Sequence, residues 1–421
     1  MIRVRPEPKR LALVMVGLPA RGKTYVGRKL GRYLAWLGYR TQIFNVGDYR
    51  RRIAGARQPA EFFSSQNVAG HEARERAALE ALDDLLAFFA SGGEIGVYDA
   101  TNTERARRDL VYERCRAAGA QVVFIESICE DQAVVDENVR ANKLRSPDYA
   151  GVDPEEATRD FRARIAEYER TYQPVSADER SYVKLIDVGR QVVVNRIEGY
   201  LEARIIFFLL NLHPARRHIY LTRHGESRFN VQGRIGGDTG LSERGLAYAR
   251  SLAQFVREQR ETTEGVIVWS STLKRALRTA ETLDRPLVAW RALDEIDAGV
   301  CDGLTYVEIA ERLPDEYGAR ALDKLRYRYP RGESYADVIQ RLEPVIIELE
   351  RQHHPILVIS HQAVLRALYG YLMGKPQAEC PHLSIPLHTV IELTPTAYGY
   401  EERRIPLEPP PLGPASSSSS S

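Results

Sequence analysis

An apolar run, LALVMVGL (11–18), leads directly into GLPARGKT (17–24), a G-x-x-x-x-G-K-[ST] pattern, and then into a helical pattern through about Leu37. No other feature of the chain constrains the fold as much. A continuous apolar run reads as a strand buried on both faces, as parallel strands are. A glycine-rich turn from such a strand into a helix offers loop N–H groups and the helix N-terminus to an anion. Lys23 is then placed to reach a transferable phosphate, and the Thr24 hydroxyl to ligate Mg²⁺. The alternative is a turn with a purely structural purpose. The buried strand before the loop and the amphipathic helix after it favour nucleotide binding.

The first half continues the alternation. TQIFNV (41–46), EIGVYDA (94–100), QVVFIES (121–127) and VKLIDV (183–188) read as strands, and 68–90, 103–118 and 154–173 as helices. Such alternation predicts a doubly wound parallel sheet. Asp99 ends one of these strands, where a carboxylate can hold Mg²⁺ or orient an acceptor hydroxyl. An aspartate that merely opens a turn fits its position equally well. Arg50 and Arg51 follow another strand end and can clamp an anion, although an isolated basic pair is more commonly a solvated turn.

After a helical stretch at about 195–211, a second α/β unit begins with IYLTRHGES (219–227). Its further strands are VIVWSS (266–271) and ILVISH (356–361), and its helices lie near 243–260 and 334–351. His224 sits at a strand end between an arginine and a glutamate. To attack phosphorus, its ring must be neutral on one nitrogen and held by a hydrogen bond at the other. Arg223 and Arg275 can neutralise phosphoryl oxygens, His361 supplies a second imidazole, and Glu295 is a candidate general acid. Taken singly, each has an ordinary structural explanation. Strand ends converge on one edge of an α/β sheet, which lets His224, Arg275 and His361 meet.

The 421 residues suggest roughly two to three domains. The expected division is an arm (1–10), a first domain (11–214), a second domain (215–407) and a Pro/Ser-rich tail (408–421) that cannot pack. Charged residues make up 28%, yet the formal net charge is +2, so basic patches are local and suit small anions better than nucleic acid. Cys115, Cys129, Cys301 and Cys380 show no metal spacing, no apolar run approaches the length of a membrane span, and MIRVRPEPKR has no hydrophobic segment before Leu11, so it is not expected to be a signal peptide. A reduced, cytoplasmic protein is expected, with no membrane or nucleic-acid partner.

On these residues the chain resembles the bifunctional 6-phosphofructo-2-kinase/fructose-2,6-bisphosphatase family, from about Leu11 to about Ile405. The resemblance is carried by GLPARGKTY, FNVGDYRR, DATNT, SPDY, YQP, IDVG and VNR in the first half. RHGES, GRIGGD, LSERG, EIDAGVCDGLTY, YRYPRGESY, QRLEPVI, SHQAVLRAL and PLHTVIELTPTAYG carry it in the second. It implies a P-loop kinase domain that moves the ATP γ-phosphate to the 2-hydroxyl of fructose 6-phosphate, followed by a phosphoglycerate mutase-like histidine phosphatase domain that hydrolyses fructose 2,6-bisphosphate. Glycolysis and gluconeogenesis would be regulated through that sugar.

By the same resemblance, Gly17, Gly22, Lys23, Thr24, Tyr25 and Asn138 would bind ATP. Lys23, Asp99 and Lys143 would serve catalysis, and Thr24 and Asp99 would serve Mg²⁺. Arg50, Arg51, Arg74, Thr101, Arg105, Arg164 and Tyr168 would hold fructose 6-phosphate. In the phosphatase half, which the resemblance implies needs no cofactor, His224 would take the phosphoryl group and Glu295 would protonate the leaving oxygen. Arg223, Asn230, Arg275 and His361 would bind the phosphoryl group. Tyr317, Arg331, Tyr335, Gln362 and Arg366 would form the pocket for the 6-phosphate.

The chain departs from the family at Asp48 (usually Glu), at Thr222 and Ser360 (commonly Cys) and at Arg331 (commonly Lys). The arm has no serine or threonine, so control by terminal phosphorylation, seen in some animal members, is not expected. A homodimer is expected, with IIFFLL (205–210) as core rather than interface. Three other readings differ in class: one dominant activity of the two, a catalytically silent sugar-phosphate-binding regulator, and a P-loop polynucleotide kinase joined to a phosphatase. The near-neutral charge opposes the last.

Overall fold

The computed structural model describes residues 10–140, 146–187, 189–213, 216–396 and 399–407. The chain forms two compact units, Met1–Pro214 and Ala215–Ser421. The tail at 408–421 and most of the arm lie outside the described residues.

The first unit is built on strands β1 (Arg10–Val16), β2 (Thr41–Asn45), β3 (Ile95–Asp99), β4 (Ala120–Ile128), β5 (Tyr182–Ile186) and β6 (Gln191–Asn195). Their order is β2-β3-β1-β4-β5-β6. β3 and β4 flank β1 on opposite sides and run parallel to it. The chain thus changes direction across the sheet at β1, and the crevice beyond that strand's carboxyl end is where such sheets bind ligands. Residues 11–16 of β1 are all buried, as an apolar run covered on both faces requires. Helices pack on the sheet, among them Lys23–Trp36 and Val68–Ala90.

Three expectations need correction in this unit. The sheet is not wholly parallel, because β6 pairs antiparallel with β5. Asn195 belongs to that edge strand, and the helix read from 195 starts only at Tyr200, just after Gly199 at φ 106°. A hairpin strand of five half-exposed residues has too little apolar pattern to be read against the helix that follows it. The IIFFLL segment is core on one face only: Ile205, Phe208 and Leu209 are buried, whereas Phe207 and Leu210 are more than half exposed.

The second unit carries β7 (Ile219–Arg223), β8 (Ile267–Ser270), β9 (Leu287–Ala289), β10 (Ile356–Ser360), β11 (Thr389–Pro395) and β12 (Tyr400–Pro406), in the order β12-β11-β7-β10-β8-β9. β7, β8, β9 and β10 are parallel, while β11 and β12 add an antiparallel edge. The stretch expected as one helix at 334–351 is two, Tyr335–Arg341 and Glu343–Arg351. Pro344 has no N–H to donate and breaks the ladder there.

Candidate active sites

In the first unit, residues on the flanking strands fasten the loop after β1. Gly17 has φ 132°, and a Cβ on it would lie 2.5 Å from the Ser127 carbonyl oxygen, so only glycine lets the loop pass the end of β4. Gly17 N–H donates to Thr101 O beyond β3 at 2.9 Å, and the Ser127 hydroxyl donates to Arg21 O. Gly22 (φ 87°) caps the helix whose first residue is Lys23. Lys23 is buried, with Nζ donating to Leu18 O inside the loop. Thr24 follows it, half-buried.

Asn138, expected to bind ATP, donates from Nδ2 to Ala20 O at 3.2 Å and so braces the loop. Tyr25 sends its hydroxyl to His213 O at 3.1 Å. Lys143 lies outside the described residues.

Asp99 is buried at the end of β3 and accepts a 2.5 Å hydrogen bond from Asn45 Nδ2. Asn45 stands opposite Asp99 in the β2–β3 register. Its other side-chain atom, Oδ1, accepts from Asp48 N and caps the helix Val46–Ala54, which carries Arg50 and Arg51. One asparagine therefore fixes both the carboxylate and the basic helix. Sequence reasoning missed it, although an Asn just before a helix is a recognisable cap signal.

The predicted sugar-phosphate residues mostly converge. Arg50 Nη2 (2.6 Å), Arg51 Nη1 (3.3 Å) and Arg164 Nη1 (3.7 Å) all meet one carboxylate oxygen of Asp148. Burial works against ionising Asp148, but the Arg50 hydrogen bond, with the charges of Arg50, Arg164 and Arg51, outweighs it and holds the carboxyl below its ordinary range. Arg51 also pairs with Asp48, so three guanidiniums against two carboxylates (+3 − 2) leave a net +1, a socket for an anion. Arg164 lies 3.7 Å from the ring centroid of Phe63, and Tyr168 packs against the same ring at 6.0 Å. Arg74 is held by Phe63 O and Ser64 O. Arg105 is not brought into this cluster: its guanidinium pairs with Asp178 at 2.8 Å.

In the second unit the geometry assigns protons. His224 is buried beyond β7, and its Nδ1 lies 2.6 Å from Gly225 O. A carbonyl only accepts, so Nδ1 carries the proton. Arg275 Nε, which only donates, meets His224 Nε2 at 3.1 Å, so Nε2 carries the lone pair. Burial and the charges of Arg275 and Arg223 keep the ring neutral, well below the ordinary histidine value. His361 lies 4.9 Å away, centroid to centroid. Arg223 is pulled down to about 10, first by burial and then by Arg366 and Arg275, against the charge of Glu295.

Glu295 Oε1 accepts from Ile296 N (2.9 Å) and from Ala363 N (3.2 Å) in the first turn of the helix Gln362–Leu372. Gln362 opens that helix next to His361. Asn230 Oδ1 is committed to Ser227 in a capping box, which fixes the direction of its carboxamide.

Arg366 donates to the Tyr335 hydroxyl at 3.1 Å and to Leu383 O at 2.7 Å. Lys324 was not foreseen; its ammonium lies 5.9 Å from the Tyr335 ring centroid and is pulled down to about 8 by burial, then by Arg366 and Arg320. Tyr317 and Arg331 are more exposed, and Arg331 has φ 62°.

Comparison with known proteins assigns a family to each unit. Residues 3–216 match the 6-phosphofructo-2-kinase family model, and residues 219–406 match branch 1 of the histidine phosphatase superfamily. The chain belongs to the 6-phosphofructo-2-kinase/fructose-2,6-bisphosphatase family. It is 51% identical to an Arabidopsis thaliana protein of that name over 95% of this chain and 54% of the other. It thus spans about half the length of that relative. It is 50% identical to the Gallus gallus protein, covering 93% of this chain and 84% of that one. It is also 50% identical to human isoform 4, covering 92% of this chain and 83% of that one. Among solved structures, the α-ribazole phosphatase from Shigella flexneri is 26% identical over 45% of this chain and 96% of its own, with a TM-score of 0.41. Among the described residues no helix is long and apolar enough to cross a membrane.

Proposed function

We propose that this chain both makes and hydrolyses fructose 2,6-bisphosphate, placing and removing one phosphoryl group at the 2-hydroxyl of fructose 6-phosphate. The observation that carries the reading is the protonation of His224, with Nδ1–H on Gly225 O and a bare Nε2 beside Arg275. A neutral imidazole whose free nitrogen touches a guanidinium is a phosphorus nucleophile next to a phosphoryl clamp.

On the kinase side, Lys23 leaves the Leu18 carbonyl for the transferable phosphate, and the loop N–H groups hold the others. Asp99, kept in place by Asn45, faces the acceptor hydroxyl. Thr24 and Asp99 supply hard oxygen donors that suit Mg²⁺, and they are the residues that would hold it; bound there, it neutralises the phosphate charge. Arg50, Arg51, Arg74, Arg164 and Tyr168 seat the sugar 6-phosphate. By family resemblance Lys143 is assigned to catalysis, Asn138 and Tyr25 to ATP, and Thr101 to the sugar phosphate, whereas Arg105 pairs with Asp178 apart from that cluster.

On the phosphatase side, His224 Nε2 attacks the 2-phosphoryl group while Arg223, Arg275, Asn230 and His361 hold its oxygens. Glu295 protonates the departing sugar oxygen and then takes a proton from the water that opens the phosphohistidine. Arg366, Tyr335, Gln362, Arg331 and Tyr317 seat the 6-phosphate. We assign the protein to the cytoplasm as a homodimer.

Both initial rates, measured on one preparation, test the reading and give the balance of activities. Lys23→Ala should abolish synthesis and spare hydrolysis; His224→Ala should do the reverse. Wild-type protein without either rate would refute the proposal.

A further inference from the structure

We propose that Asp294, acting through Ser271, is a positioning residue for His361 that leaves His361 Nδ1 as the nitrogen facing the phosphoryl group. The inference rests on the reading that the second unit works through His224 and His361.

Ser271 Oγ lies 2.7 Å from Asp294 Oδ1 and 2.8 Å from His361 Nε2, and it accepts from Leu273 N at 3.1 Å. The hydroxyl has one proton to give. An ionised carboxylate can only accept, so that proton goes to Asp294, and His361 Nε2 must be the donor to Ser271. Asp294 is itself fixed: Oδ1 accepts from Thr272 N at 2.7 Å, Oδ2 accepts from Thr272 Oγ1 at 2.7 Å, and its carbonyl accepts from Arg341 Nη2 at 2.6 Å. The His361 ring is buried and kept neutral by that burial, by Arg275, by His224 and by Arg223. With Nε2–H spent on Ser271, Nδ1 carries the lone pair; it is buried and has no hydrogen-bond partner in the protein.

His361 therefore sets out as an acceptor, and to donate to a phosphoryl oxygen it must gain one proton. The proton comes from solvent to Nδ1 as the phosphoryl dianion binds, and it returns to solvent as inorganic phosphate leaves; no other bond to His361 changes. The charged and titratable groups around the ring divide by sign. Arg223, Arg275, Arg341 and His224 oppose the proton, while Glu295 and Asp294 favour it. Asp294 is the one joined to His361 by a hydrogen-bonded chain, so its charge is felt at the ring directly.

The test is ¹⁵N NMR of the full-length protein labelled at histidine, with His361→Gln used to assign the resonance. A protonated, pyrrole-like Nε2 and a bare Nδ1 are expected in the wild type. Asp294→Ala frees the Ser271 proton to turn toward His361; it should mix the tautomers and lower phosphatase kcat at least about tenfold, with a smaller change in KM. Asp294→Asn keeps the acceptor and should restore the tautomer and part of kcat. A wild-type proton on Nδ1, or an Asp294→Ala enzyme with wild-type kcat, would overturn the proposal. If Asp294→Ala does not fold, the wild-type spectrum decides alone. If the wild type does not hydrolyse fructose 2,6-bisphosphate, the functional reading fails while the tautomer is still read.

Discussion

Arg275 Nε donates to His224 Nε2 across 3.1 Å, while His224 Nδ1 donates to its neighbour's carbonyl at 2.6 Å. The proposed attacking nitrogen is thus defined before any substrate arrives, and the group that defines it is the one proposed to clamp the phosphoryl group. In the proposed mechanism phosphoryl oxygens compete for the same guanidinium, so substrate binding would release the lone pair for attack.

A pH dependence of stability follows. His224 and His361 are both held well below the ordinary histidine value of 6.5 in the folded state. As pH falls through 6.5, the unfolded chain takes up protons that the native rings refuse, and stability is lost progressively toward the depressed native values. Urea melts followed between neutral and mildly acidic pH should show this slope in the second unit. The slope should shrink in His224→Asn, and an unchanged slope would count against a neutral buried His224.

Asn45→Ala removes the hydrogen bond to Asp99 and the cap of the Arg50 helix together. A loss of about 1–2 kcal/mol from the first unit is expected. Kinase kcat should fall as well, and Asn45→Asp, which keeps the cap but sets a second carboxylate against Asp99, should not rescue it. Initial-rate kinetics beside a thermal melt separate the two effects.

Gly17→Ala places a methyl group 2.5 Å from Ser127 O at a φ of 132°. The backbone alone costs about 1–3 kcal/mol there. Relief comes only by moving the loop, so nucleotide affinity should drop sharply while phosphatase kinetics stay unchanged. Titration calorimetry with ATP checks the first, and phosphate release the second.

Arg108 and Glu179 form a fully buried pair, joined through Nε (2.7 Å) and Nη2 (2.8 Å). Arg108 Nη1 also ties Asn102 O, Thr103 O and Gln173 O together. Arg108→Met strands the Glu179 charge and should cost about 3–5 kcal/mol. The double change Arg108→Met with Glu179→Leu should recover most of that in a denaturant melt, since an uncompensated charge is the main penalty.

Local signals made much of this molecule legible. β1, the glycine loop and its helix follow from a buried run, a glycine pair and an amphipathic repeat, all of which act over a few residues. The same holds for the helix 68–90 and for His224 and His361 at strand ends. The failures have physical causes too. β6, β9, β11 and β12 are edge or near-edge strands with weak periodicity, and the break before Pro344 passed unnoticed inside a continuous amphipathic pattern. Asp294, Asn45 and Asp148 carry no chemistry of their own in sequence; they matter for what they touch.

By itself the sequence determined that the chain has two phosphate-handling units and put a glycine loop with its lysine in one and a histidine at a strand end in the other, because turn geometry and strand burial are encoded locally. Only the tertiary structure decided that β3 lies between β2 and β1, placing Asn45 beside Asp99. It alone brought Arg50, Arg51 and Arg164 onto Asp148 and joined His361 to Asp294 through Ser271. Such pairings join residues from 16 to 98 positions apart, and the proton on an imidazole depends on the partner at each nitrogen, which no local pattern specifies.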